Sequence, residues 1–450
     1  MVVPGLCIAA PASGTGKTTI ATGLVRALAR RMEVAPFKVG PDYIDPGYHG
    51  LAAGRVGRNL DSVMCGGQRI GPLYAHGSAG CDISVVEGVM GLFDGRIAAG
   101  SDPVCAPGST AEIARTLGMP VILVVDVRGM SQSIGAMVRG FATAVDGVRL
   151  AGVILNRAGT GRHDAVCRSA CDAVGVPVLG SLPRFADIEV PSRHLGLVTA
   201  VERGGAAVTA VERMADLVEE HLDLDGLVSV ADCTWDGEAW NPRTEVAPVG
   251  SPTIAVAGGP AFTFAYAEHT ELLGAAGARV VRFDPLTDDL PDCDGLIIPG
   301  GFPEEHVEDL AGRTGLRRRV RERIADGMPV HGECAGLLWL TASLDAHPML
   351  GVIDTHAAMG RRLTLGYREA VALSDSVLHR EGERLTGHEF HHTALTDTSV
   401  AGWSPAWGWR GWDGRGVREG FAGDTVHASY LHCHPAATPR AIERFVAACV

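Results

Sequence analysis

Positive charge is in short supply: 39 lysines and arginines stand against 52 aspartates and glutamates, a formal charge of −13. Such a balance repels phosphate backbones, and no basic tail stands apart from it, so nucleic acid is excluded as an expected partner. Long apolar runs are also missing. The stretch 121–125 is interrupted within a few residues by charge and glycine, far short of the roughly 20 apolar residues that a membrane helix needs, so no membrane span is expected. The opening residues carry no positively charged stretch and run straight into a glycine-containing loop, which reads as no secretory signal and a cytoplasmic setting. The 11 cysteines lack paired metal spacing, which argues for reduced thiols and against a disulfide framework. Cys167 and Cys171, one helical turn apart, read as small core residues in preference to a metal or redox pair. No fixed-period repeat is visible.

What is present describes a folded, multi-domain chain. With 450 residues it exceeds one core, and two or three domains are expected. Hydrophobic residues at 46% and charged residues at 20% suit ordinary globular cores, while 59 glycines imply many tight turns and close backbone approaches. The first half repeats a unit of apolar β-rich run, glycine-marked turn and helix-like stretch, with strands expected at residues 6–10, 83–87, 121–127, 152–156 and 176–179. These runs are too continuously apolar for a wet face, which predicts an α/β fold with a parallel sheet covered by helices. The pattern dissolves between about 222 and 252, placing domains at 1–225 and 252–450 with 226–251 as linker. An α/β rhythm then restarts, with strands expected at 253–257, 279–283, 295–298 and 329–332.

Directly after the first strand comes Gly14-Thr15-Gly16-Lys17-Thr18-Thr19, followed by a helical stretch at 20–30. A loop in this context wraps backbone N–H groups around phosphates, its lysine neutralises the outer phosphates and its hydroxyl ligates magnesium. Pro11 replaces the first glycine of the usual pattern, so the entry turn differs. Glu87 at the end of another strand, with Asp94 beyond it, sits where a nucleotide-bound magnesium needs carboxylates, joining Thr18 as the expected metal ligands. Asp94 has the alternative task of setting the turn before Gly95. The stretch 37–47 carries Lys38, Asp42, Tyr43 and Asp45 among prolines and glycines, a density that suits a substrate site. Asn156, ending a strand, either reads a purine edge or simply occupies a turn.

In the second half, Pro329-Val-His-Gly-Glu-Cys334-Ala-Gly-Leu-Leu-Trp reads as a buried strand, a small-residue elbow and a helix. Gly332 and Gly336 flank Cys334 at two positions to each side, which places the thiol at the tip of a strained turn, beside a helix N-terminus that lowers its pKa. Gly300 and Gly301, closing another strand, have N–H groups that could hold an oxyanion together with the amide of Ala335. His432 and His434 offer imidazole bases for the thiol.

The Pro299-Gly-Gly turn, the Gly332-Glu-Cys-Ala-Gly elbow and the late Tyr430-Leu-His432 resemble the class I glutamine amidotransferase domain. That resemblance implies Cys334 as nucleophile on the carboxamide of glutamine and His432 as base. Most such domains carry His-x-Glu, whereas this chain has His432-Cys433-His434, so the third member of the triad is missing at its expected place. Taken with Lys38-Val-Gly-Pro-Asp-Tyr-Ile-Asp-Pro-Gly, Glu87-Gly-Val-Met-Gly-Leu-Phe-Asp-Gly and Gly387-His-Glu-Phe-His, the set resembles the cobyrinic and hydrogenobyrinic acid a,c-diamide synthases of corrin biosynthesis, from about residue 3 to 446.

The resemblance implies an N-terminal phosphate-loop NTPase domain of dethiobiotin-synthetase-like type and a C-terminal amidotransferase domain. ATP and Mg2+ are the expected cofactors, and glutamine, ATP and a corrin carboxylate the expected partners; a homodimer is compatible with the sequence. Likeness to actinobacterial members favours metal-free hydrogenobyrinic acid, with Asp42 and Tyr43 lining its pocket. The rivals are an amidase of other corrin side chains, as in cobyric acid synthases, and a regulatory phosphate-loop ATPase with a binding-only second domain. His388, His391 and His392 are read without a metal. Trp403, Trp407, Trp409 and Trp412 are read as hairpin packing, and the arginines between 317 and 323 as the solvated face of a helix.

Overall fold

Continuously apolar strands must be covered on both faces, and the first half of the chain meets that demand with a parallel sheet. The structure, a computed structural model, describes residues 2–97, 102, 104–184, 192–193 and 196–450. It divides into two units between Trp240 and Asn241. In the first, β1 (Gly5–Ala9), β2 (Val34–Val39), β3 (Arg58–Leu60), β4 (Ile83–Glu87), β5 (Val121–Asp126), β6 (Leu150–Ala158) and β7 (Val178–Pro183) line up in the order β3-β2-β4-β1-β5-β6-β7. Every pairing is parallel.

Chain progression reverses around β1, since β2 and β3 lie to one side of it and β5 to β7 to the other. Such a reversal opens a crevice at the carboxyl ends of the strands, where ligands of doubly wound sheets bind. The ends of β1, β2 and β4 meet there. In this sheet β2 and β3 do not stand out from the residues. Strand β2 holds Pro36 in its interior and β3 is only three residues long, so neither reads as a clean β run. Lys38 accordingly belongs to a buried strand. The helix expected at 20–30 begins at Lys17.

Residues 222–240 complete this unit: Leu224–Val230 is a helix, Asp232 bridges to Gly5, and Trp240 is buried with its backbone amide donating to the carbonyl of Pro72. Cys167 and Cys171 are both fully buried on the helix Gly161–Asp172.

In the second unit the strands Arg279–Phe283, Thr253–Ala257, Gly295–Ile298, Val330–Glu333 and Val426–Ser429 lie side by side and parallel. The sheet continues antiparallel through Gly416–Ala422, Ser404–Arg410 and the 20-residue Ile353–Ala372, whose long partner is Arg384–Leu395. Trp407 is buried and Trp409 lies on the hairpin of Ser404–Arg410 with Gly416–Ala422, whereas Trp412 at its tip is 83% exposed. On the helix Thr314–Ala325, Leu316, Val320 and Ile324 form the buried stripe and Arg318, Arg319 and Arg321 face outward. Arg317 and Arg323 instead tie down the carbonyls of Met349 at 2.9 Å and Cys293 at 2.7 Å. Among the described residues no helix is long and apolar enough to cross a membrane.

Candidate active site

The phosphate loop leaves β1 and enters the helix Lys17–Ala29 through Gly16, whose φ of 96° an L side chain rarely adopts. A Cβ there would also collide with the side-chain amide of Asn156. Asn156 Nδ2 donates to the carbonyl of Thr15 at 2.7 Å, and Arg157 Nη1 donates to the carbonyl of Gly14 at 3.1 Å. The end of β6 therefore braces the loop carrying Gly14, Thr15 and Gly16. Thr18 and Thr19 follow in the first helical turn. Lys17 Nζ donates to the carbonyl of Met90 at 2.5 Å. Burial, reinforced by the nearby Lys38 charge, lowers its pKa from the ordinary lysine value.

Thr18 Oγ1 donates to Glu87 Oε1 at 2.6 Å and lies 3.3 Å from Asp45 Oδ2. Lys38 Nζ bridges Asp45 Oδ2 at 2.6 Å and Glu87 Oε1 at 3.0 Å, and His49 Nε2 lies 2.7 Å from Glu87 Oε2. Burial would raise the Glu87 carboxyl, but Lys38 and His49 outweigh it and hold the group well below the usual carboxylate range. Burial, with Asp42 beside it, pushes Asp45 up to about 6. A hydroxyl and a carboxylate oxygen 2.6 Å apart, with a second carboxylate near, are hard donors that fit magnesium, which keeps several waters and takes one or two protein carboxylates.

The structure thus brings together Thr18, Glu87 and Asp45. Asp94 Oδ2 accepts the amide of Gly91 at 3.0 Å, fixing the turn after β4, and its charge acts on Lys17. Asp42 stands one residue before Tyr43, the N-cap of the helix Ile44–Ala53, and its Oδ1 accepts the amides of Ile44 at 2.7 Å and Asp45 at 2.9 Å. Tyr43 lies beside it, partly buried. His49 had no sequence reading; the signal available was its spacing, four residues after Asp45 on that same helix and hence on the same face.

In the second unit Cys334 stands between the strand Val330–Glu333 and the helix Ala335–Leu340 with φ 50° and ψ −98°, an unusual conformation for a residue with a side chain. Its amide is bonded to the carbonyl of Ser429 at 2.7 Å. Gly336 is required by contact, since a Cβ there would run into the carbonyl of Ile298. That contact sets the helix start beside Pro299-Gly300-Gly301. A Cβ on Gly300 would lie 2.6 Å from His432 Cε1, so Gly300, Ala335, Cys334 and His432 share one site, with Gly301 next along the turn.

His432 is fully buried, and its backbone pairs with that of His388 through two bonds of 2.8 and 2.9 Å. Its Nδ1 lies 2.7 Å from Glu333 Oε1, and Cys334 is close enough to act on its charge. Burial works against a charged imidazole, but Cys334 and Glu333 outweigh it and raise His432 to about 10. His434 is placed otherwise: its ring packs on Tyr266 at 4.3 Å and its Nδ1 accepts the amide of Ala436 at 3.3 Å. In the Gly387–His391 run, Glu389 pairs with Arg368 at 2.5 Å and His391 stacks on Tyr430 at 3.8 Å.

A phosphate-loop crevice in one unit and a thiol with a buried imidazole at a strand-to-helix elbow in the other define a nucleotide-binding unit followed by a glutamine amidotransferase unit. Residues 6–198 match the CobQ/CobB/MinD/ParA nucleotide binding domain, and residues 253–439 the CobB/CobQ-like glutamine amidotransferase domain. Hydrogenobyrinate a,c-diamide synthase of Mycobacterium bovis is 55% identical over 99% of this chain and 98% of its own length. The protein of the same name from Streptomyces coelicolor is 52% identical over 99% and 98%. Cobyrinate a,c-diamide synthase of Picrophilus torridus is 38% identical over 100% and 99%. The chain belongs to the hydrogenobyrinate and cobyrinate a,c-diamide synthase family.

Proposed function

We propose that the chain amidates the a and c acetate carboxylates of hydrogenobyrinic acid, using ATP and glutamine. The observation that carries this reading is that a phosphate loop and a Cys334 elbow beside His432 occur in one chain similar over its full length to synthases of that name. A carboxylate is a poor acyl donor because oxide is a poor leaving group; transfer of the ATP γ-phosphoryl makes an acyl phosphate whose leaving group is good. In this reading Gly14 to Thr19 cradle the phosphates and Lys17 neutralises the charge that develops on them. Thr18 and Glu87, with Asp45 close by, would hold a magnesium ion, whose contribution is to neutralise phosphate charge. Asp42 and Tyr43, at the rim of the same crevice, are proposed to meet the substrate.

Ammonia comes from the second unit. Cys334 attacks the glutamine carboxamide, the amides of Gly301 and Ala335 receive the oxyanion, and His432 passes a proton to the departing ammonia. A second attack by water on the resulting thioester releases glutamate. Incubation with ATP, magnesium, glutamine and hydrogenobyrinic acid, followed by mass spectrometry, should give a doubly amidated product. A product amidated only at other side chains would favour the cobyric-acid-synthase-like reading, and ATP hydrolysis with no amidated corrinoid a regulatory ATPase.

A further inference from the structure

The proton carrier of a thiol–imidazole pair needs a partner on its far nitrogen, and the usual carboxylate two residues after the histidine is replaced here by His434, which faces Tyr266. The structure fills that place from an unexpected direction. Glu333 is the residue immediately before the nucleophile. The strand Val330–Glu333 pairs in parallel with Val426–Ser429, setting Glu333 opposite Ser429 and three residues short of His432. From there Glu333 Oε1 reaches His432 Nδ1 at 2.7 Å, while Oε2 accepts the amide of Cys433 at 3.3 Å. The carboxylate is 11% exposed and the imidazole not at all.

We infer that Glu333 is the positioning residue of the glutaminase site, fixing the ring and tautomer of His432 and stabilising the imidazolium that forms when the ring takes up a proton. Two contacts to consecutive residues make the carboxylate a clamp on the backbone as well as on the ring. With Nδ1 engaged, Nε2 is the nitrogen that serves the thiol. The other titratable groups facing this pair are His331 and His269 on the Glu333 side, Cys433 beside the same carboxylate with its thiol pushed well above the ordinary value by burial, His388 across the backbone bridge, and Tyr430 near Cys334. Burial keeps the three histidines neutral near pH 7, with pKa values of about 3 to 4, and pushes the Tyr430 hydroxyl far above that pH. None of them supplies the negative charge that an imidazolium requires.

The inference rests on the reading of Cys334 and His432 as the glutaminase pair, and the test separates the two. In the full-length enzyme, Glu333→Gln should lower kcat for glutamine hydrolysis by about 10² to 10⁴, the scale seen when a triad carboxylate loses its charge, with a smaller change in KM. The alkaline limb of Cys334 alkylation by iodoacetamide should move to lower pH, and Glu333→Asp should restore part of both. Ammonium-driven amidation is the folding control. A variant folded by that control that keeps wild-type kcat and an unmoved alkaline limb overturns the inference. If Glu333→Gln does not fold, Glu333→Asp decides it: an unmoved limb with unchanged kcat overturns it, a lowered limb supports it. Retained glutamine-dependent synthesis in Cys334→Ser would instead sink the underlying reading and leave Glu333 no pair to position.

Discussion

At the scale of single residues the two sites make separable demands. Lys17→Ala should abolish amide formation with glutamine or ammonium alike, by about 10²-fold or more, because phosphoryl transfer precedes any nitrogen chemistry. Retention of a tenth of wild-type turnover would contradict that order. Cys334→Ser should lose glutamine-dependent synthesis and keep ammonium-driven synthesis, since the thiolate acts only on glutamine. Gly16→Ala combines a left-handed φ with a collision against Asn156. It should cost about 1–2 kcal/mol, weakening ATP binding roughly tenfold in a calorimetric titration. Cys334, His432 and the loop around Lys17 stand out in the sequence as candidates because the signal for each is local spacing. Glu333 was not, although it adjoins the nucleophile, because only strand pairing shows which residue reaches His432. Asp94 reads equally well as ligand or turn former, and its bond to Gly91 is a matter of loop geometry.

Secondary-structure elements show the same division. Strands with one continuous apolar run declared themselves, while β2 was hidden by Pro36 and the long ribbon of Ile353–Ala372 with Arg384–Leu395 by its exposed, charged and glycine-broken residues. The parallel strands of the second unit carry a prediction of their own. His331 and His427 on adjacent strands, with His379 and His269 packed nearby, have ring centroids 5.7 to 6.1 Å apart from neighbour to neighbour. Burial lowers His331 and His427 to about 3 and His379 and His269 to about 4. Their unfolded forms bind protons from about pH 6.5 downward and the folded forms do not, so stability falls as pH falls from there toward 4. Each such group contributes up to about 1.4 kcal/mol per pH unit. Glu419, raised by burial to about 8, and His432, raised to about 10, act oppositely: their stabilising contribution is lost as pH rises. Thermal midpoints should therefore peak near neutrality, and His331→Gln should flatten the acid side. An unchanged acid slope in that variant would refute its share.

For the whole molecule, the substrate is the distinguishing prediction. A pocket that reads only rim carboxylates with Asp42 and Tyr43 should accept both macrocycles, so kcat/KM for hydrogenobyrinic acid should equal or modestly exceed that for cobyrinic acid. A tenfold preference for the cobalt form, about 1.4 kcal/mol, would overturn the assignment. The covalent adjacency of Glu333 and Cys334 has a different kind of consequence. Acid and thiol travel on one peptide unit, so they are synthesised together and cannot drift apart. The imidazole arrives nearly a hundred residues later, on the segment that follows Val426–Ser429. During synthesis and refolding the elbow therefore has its acid and thiol but no imidazole until the C-terminal strand docks in register. Completion of the sheet by Val426–Ser429 is thus the step that first brings thiol and base together.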